Sequence, residues 1–360
     1  AHDRKSKFDS AADSGVLAAV KAAKDAFLDG KNWEEAAQNA GASTFTQNAA
    51  KAIGAKVTGV SVSVTRVGNE FRGSLTYGAL YPTSLMKLFQ KSEIAITNTI
   101  TASFAIANYL DVHLMIDVSP SMGIGATLAD QTLMQATNNC ALACHQQAGH
   151  LEAVRAAGAR TRIDIVRDAV RTFIDDLKTR RSSSDQVRLS INLFSNQIMP
   201  LFAASTDLDA AYAAAANIDL ATYPAFGTNM THSLGQLNAA IPPGGAGFRD
   251  TNRKSYVVML SDGIEDSRYR QAEADPESAD PNFTGTSPFY VAYFERLQSM
   301  ERQSCDAIKA ANHTMMTAHV EYLVPPAWDA AAVPRFDFIK DHLIAKSIDE
   351  FAACASQPDH

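Results

Sequence analysis

The sequence predicts an α/β protein: a doubly wound, mostly parallel sheet preceded by a smaller α+β module. Three observations predict it. Residues 112–116 and 256–260 are short apolar runs without polar alternation, as in strands covered on both faces. Helical stripes separate these runs, so strands and helices take turns along the chain, the order of a parallel sheet. Before residue 107 the period switches to strict alternation behind one long helix, which reads as an antiparallel sheet.

In the first module, Phe8, Ala12, Val16, Val20, Ala23 and Phe27 recur at three- and four-residue steps, and Gly30 stands where a C-cap would. This stripe either binds a partner or covers the small sheet. Two shorter helices are expected at 33–39 and 47–53. Val60, Val62 and Val64 then alternate with polar residues, Gly68 and Asn69 offer a turn, and Phe71, Leu75 and Tyr77 alternate next. A short helix is expected at 85–89, before alternation resumes from Ile94 to Phe104.

The larger domain is expected over 108–360. After the first strand, Ile163, Val166, Val170, Phe173, Ile174 and Leu177 form a helix stripe. A strand at 187–194, an edge strand at 198–202 and an alanine-rich helix at 208–218 with Asp207 as N-cap follow. A helix at 229–240 and strands at 256–260 and 315–324 complete the series. Insertions at 122–160 and 264–288 begin after the carboxyl ends of predicted central strands, where ligand sites form in such sheets.

Composition narrows the function. Hydrophobic residues at 46% and charged residues at 20% describe a globular chain, not a disordered one. A net charge of -7, with no basic stripe interleaved with aromatics, argues against nucleic acid as partner. No run of eighteen apolar residues is present to span a membrane. The chain opens on Ala1 and polar residues, so an export signal or membrane anchor is expected upstream in the precursor. No Gly-x-Ser-x-Gly elbow, His-Glu-x-x-His or phosphate loop occurs, and Gly123-Ile124-Gly125 lacks the third glycine of a dinucleotide turn. An enzyme is not expected.

The chemistry gathers at strand ends. Asp117-Val118-Ser119-Pro120-Ser121 leaves the first central strand, and alternate side chains there turn toward one point. Ser261-Asp262-Gly263 leaves a second strand with another carboxylate, and Gly227-Thr228-Asn229 places a hydroxyl before a helix. Carboxylates and hydroxyls suit a hard divalent cation, Mg²⁺ foremost, with Ca²⁺ or Mn²⁺ as alternatives. Two carboxylates balance the dication and neutral hydroxyls leave it electrophilic, so a partner's carboxylate is the natural missing ligand. Glu265 and Asp266 are expected in a solvated loop, and His232 is expected to pack near a helix start, away from the metal.

Four cysteines, Cys140, Cys144, Cys305 and Cys354, permit two disulfides in three connectivities or four thiols in a cytosolic protein. The Cys-x3-Cys spacing fits no common zinc pattern, and Cys140-x3-Cys144-His145 is one residue too long for haem attachment.

Asp-x-Ser-x-Ser, a later Gly-Thr and a later Ser-Asp-Gly, in that order, resemble the metal-ion-dependent adhesion site of von Willebrand factor A domains. The resemblance implies that Asp117, Ser119, Ser121 and Thr228 bind the ion and that Asp262 acts through water. Phe8-Asp9-Ser10-Ala11-Ala12-Asp13 resembles the segment after the membrane helix in TadG-like proteins of the tight-adherence (Flp) pilus system. Those proteins join a pilin-like helix and sheet to an A-type domain, and Cys140–Cys144 and the Cys354 region are similar to their cysteine-bearing segments. The implied pairing is Cys140 with Cys144 and Cys305 with Cys354, in an extracytoplasmic protein. A bridge across 140–144 requires a non-helical turn. The implied partner is a protein carboxylate on a pilus subunit or a surface or matrix protein. Two departures stand: the membrane helix is missing, and the chain stops about where the family's last strand and helix would begin. The alternatives are a cytosolic A-domain subunit of an ATP-driven machine such as a metal chelatase, or a structural filament component with a vestigial site.

Overall fold

The computed structural model describes residues 2–50, 56–82, 93–141, 148–221, 227–265, 298–300, 302–325, 336–337 and 339–357. They fall into two units, 1–108 and 109–360.

In the first unit, alternation along 56–105 folds into β1 (Lys56–Val67), β2 (Glu70–Pro82) and β3 (Glu93–Ala105), antiparallel in that order. Helix α1 (His2–Leu28) lays Phe8, Ala12 and Val16 against Leu75 and Tyr77 of β2 and Val20 over Gly73, all four buried. The stripe therefore covers the sheet, and Phe8 stacks on Tyr77 at 5.7 Å between ring centroids. Residues 33–49 form one helix, α2 (Trp33–Ala49), where two shorter ones were expected. Asn32 starts it by accepting from the Glu34 and Glu35 amides at 3.2 Å. The stretch 40–43 carries no large apolar residue, which blanks the sequence pattern. Its Gly41 is a contact point, since a Cβ there would come within 2.9 Å of Val62. Residues 51–53 and the helix expected at 85–89 lie outside the described residues.

In the second unit, five strands pair in the order β10-β7-β4-β5-β6: β4 (Leu110–Asp117), β5 (Val187–Phe194), β6 (Ile198–Ser205), β7 (Lys254–Ser261) and β10 (His313–His319). All neighbours are parallel except the edge strand β6, which runs antiparallel to β5. β4 is central, and Asp111 to Asp117 are all buried. Its alternate residues divide between two cores. Val112, Leu114 and Ile116 pack with Val166, Val170 and Ile174 of α5 (Arg162–Arg180) and Ala211 of α6 (Leu208–Ala215). Met115 packs with Leu234 of α7 (Met230–Ala240), Ile308 of α8 (Gln303–Ala310) and Phe351 of α9 (Ile344–Cys354). Both sets of β4 side chains thus leave water, each in a core shared with helices.

The strand expected at 315–324 runs instead from His313 to His319, and its last rung to β7 is the Val320 amide on the Ser261 carbonyl at 2.9 Å. Within 122–160 lie α3 (Leu128–Asn138) and α4 (His150–Ala156), elements the sequence pattern did not separate. Glu265 closes a two-residue strand, β8 (Ile264–Glu265), paired with β9 (Gln298–Ser299); 266–297 lie outside the described residues. Cys305 and Cys354 are disulfide-bonded, with Cα atoms 5.4 Å apart, and tie α8 to α9. Cys140 is also disulfide-bonded, whereas Cys144 lies outside the described residues. No described helix is long and apolar enough to cross a membrane.

Candidate metal centre

The parallel sheet delivers its polar residues at the carboxyl ends of β4 and β7. Asp117 is the last residue of β4 and wholly buried. Its Oδ1 accepts from the Ser119 amide at 2.8 Å, and its Oδ2 accepts from the Ser261 hydroxyl at the end of β7. A 3-10 turn, Pro120–Gly123, then folds the chain so that Ser119 Oγ and Ser121 Oγ stand 3.2 Å apart. Asp262, next to Ser261 and also wholly buried, accepts from the Ile264 amide at 3.3 Å through Oδ1.

Burial pushes the Asp117 carboxyl up to about 7, and the neighbouring Asp262 charge pushes in the same direction; the Ser119 and Ser261 bonds only partly oppose them. A cation offsets both causes at once. The donor set fits one. Neighbouring ligands of an octahedral dication at about 2.1 Å stand roughly 3 Å apart, close to the Ser119–Ser121 spacing. Hydroxyl and carboxylate oxygens are the donors hard cations take.

Thr228 is buried, 6% exposed, on the loop entering α7. The Asn229 amide bonds the Ser195 carbonyl at 2.8 Å, which holds that loop beside the end of β5, the neighbour of β4. The structure therefore joins Asp117, Ser119, Ser121 and the Ser261–Asp262 turn in one network, and Thr228 takes no part in those bonds. Among the described residues no group of three or more His, Cys, Asp or Glu converges as a metal cluster, here or elsewhere; the carboxylates of the candidate centre are Asp117 and Asp262.

Two neighbours differ in outcome. Glu265 is not in a solvated loop: it is fully buried, and Oε1 accepts from the Thr231 amide at 2.6 Å. The first turn of α7 supplies that amide and a favourable helix dipole. Asp266 lies outside the described residues. His232 is exposed in that same turn, with its amide on Asn229 Oδ1 at 2.8 Å.

Sequence reasoning missed Arg162 and His319, and named Ser261 only as part of the Ser-Asp-Gly motif, with no role of its own. Arg162 opens α5, is 2% exposed, and places Nη1 3.2 Å from Asp262 Oδ2. Its backbone position is set by its amide on the Ile124 carbonyl and by Asp164, whose carboxylate accepts from Thr161 Nα–H at 2.9 Å and its hydroxyl at 2.7 Å. His319 Nε2 lies 3.1 Å from the Asp262 carbonyl. The only sequence cue was a lone arginine on the apolar face of a helix.

No protein-family profile matches the chain, and no curated protein matches its sequence. Several solved structures are similar at a distance. The three N-terminal domains of the type V pili tip protein Mfa5 from Porphyromonas gingivalis align at 12% identity and TM-score 0.37, over 85% of this chain and 53% of that one. The PilB minor pilin from Streptococcus sanguinis aligns at 12% identity and TM-score 0.32, over 82% and 76%. Proximal thread matrix protein 1 from the mussel byssus, with a zinc-occupied MIDAS motif, aligns at 10% identity and TM-score 0.31, over 69% and 46%. The chain thus spans about half the length of the first and third of these.

Proposed function

We propose that this chain is an adhesion or assembly subunit, not an enzyme, built on a doubly wound, von Willebrand A-like domain. Asp117, Ser119, Ser121 and Thr228 hold a divalent cation, and Asp262 acts through water. The bound cation supplies a Lewis-acidic position for a partner's carboxylate. The observation that carries this reading is the buried Asp117 carboxylate beside two hydroxyls 3.2 Å apart, at the carboxyl end of the central strand. Asp262 supports the outer position assigned to it, because Oδ1 already accepts an amide and Oδ2 already faces Arg162.

The wider reading is a TadG-like, extracytoplasmic component of a Tad (Flp) type pilus, anchored to a membrane in its precursor. The Cys305–Cys354 disulfide supports an oxidising compartment and counts against a cytosolic chelatase subunit. The test is calorimetric titration with Mn²⁺ and Mg²⁺. Asp117→Ala is expected to abolish the binding heat while the far-ultraviolet spectrum keeps its native form. Unchanged cation binding by that variant would overturn the reading.

A further inference from the structure

Arg162 brings a fixed positive charge into the candidate centre. Nη1 donates to Asp262 Oδ2 at 3.2 Å and to the Ser121 carbonyl at 3.3 Å, and Nη2 donates to the Leu323 carbonyl at 3.3 Å. The guanidinium lies over the Tyr322 ring at 4.4 Å, and Nε is buried without a hydrogen-bond partner. One guanidinium thus spans the β4 loop, the β7 loop and the segment beyond β10. Burying a guanidinium whose donors are incompletely answered is costly, and apolar packing would join the same three segments at less cost. Its charge is therefore the property to explain.

Asp117 and Asp262 together balance a dication, and Arg162 leaves one positive charge over. We propose that Arg162 is the specificity-determining residue of the centre: it weakens the hold on the dication and makes the loaded site net positive, so that an anionic partner completes it. Without Arg162 the loaded centre is neutral, and a carboxylate is drawn by the cation's open position alone, less strongly than when the guanidinium adds its charge. This inference rests on the cation-centre reading above.

The test is Mn²⁺ calorimetry on the whole chain, with and without acetate as the carboxylate probe. Removing a like charge a few ångströms from a dication predicts that Arg162→Gln binds Mn²⁺ at least tenfold more tightly. Acetate should tighten Mn²⁺ binding by the wild type more than it tightens binding by Arg162→Gln. Unchanged or weaker Mn²⁺ binding by Arg162→Gln, or an equal acetate effect in both proteins, overturns the inference. Should Arg162→Gln not fold, Asp262→Asn is compared with Arg162→Gln/Asp262→Asn. The double variant is expected to bind Mn²⁺ at least tenfold better than the single one, and equal binding overturns the inference. A wild type that binds no Mn²⁺ refutes the cation centre itself, a different failure from that of Arg162.

Discussion

The two ends of the parallel sheet use the same ingredients differently. At the amino end, Asp111 of β4 receives Arg188 Nε at 2.8 Å and a second Arg188 bond through Nη2, with Arg253 3.8 Å away. Arg253 is in turn held by Asp250 and by the carbonyls of Leu110, Gln186 and Asp185. At the carboxyl end, Asp117 meets only hydroxyls and an amide, and burial lifts its carboxyl to about 7. One end is closed by charge balance and serves stability. The other is left unbalanced, and the imbalance is what a ligand can use. A buried carboxylate is thus structural or functional according to whether its neighbours answer it.

The comparison can be broken at either end. The largest effect is expected from Asp111→Asn, which takes the buried carboxylate out of its two-point pairing with Arg188. Chemical denaturation should show a loss of about 3–4 kcal/mol, toward the lower end for a broken buried pair because Arg188 is partly exposed. A loss under 1 kcal/mol would place the amino end in the same class as the carboxyl end.

Acid probes the middle of the same sheet. His113 Nδ1 bonds Ser190 Oγ at 2.8 Å and His313 Nδ1 bonds Ser255 Oγ at 2.7 Å, while both buried Nε2 atoms lack a partner. Burial pushes His113 down to about 4 and lowers His313, with Asp111 opposing both shifts. The unfolded chain therefore takes up protons first. Stability is fully present above about pH 6.5 and is lost as the pH falls toward 4, by about 3 kcal/mol from His113 alone. Urea midpoints measured from pH 7 to pH 4.5 should trace that loss, and His113→Asn should flatten it.

Asp117→Asn should act in the opposite sense to Asp111→Asn. At pH 8 without added cation it removes a charge the fold disfavours, and a gain of about 1–2 kcal/mol is expected, as when a functional group is traded for stability. Destabilisation would mean that the carboxyl end is held together by its charges after all. The smallest effect belongs to the cap that sets Arg162. Thr161→Val deletes the hydroxyl bonded to Asp164 and should cost about 1 kcal/mol in thermal melts.

Sequence alone determined the features that depend on local period and local chemistry. The Phe8-to-Val20 stripe, the alternation of β1 to β3 and the apolar run of β4 follow from side-chain spacing, which neighbouring residues impose. The same spacing put a carboxylate and two hydroxyls on the loop leaving β4. It failed for α2, where small residues hide a helix that packing through Gly41 sustains.

Only the tertiary structure decided which charges meet. Asp262 lies 100 residues from Arg162, and Glu265 lies 34 from the Thr231 amide it accepts. His113 and His313 influence one another through a strand order, β10-β7-β4, that is not the order of the chain. Spacing along a chain carries no record of such partners. They are chosen when distant strands align and water leaves, because a buried charge must then find its counterpart wherever the fold has brought one.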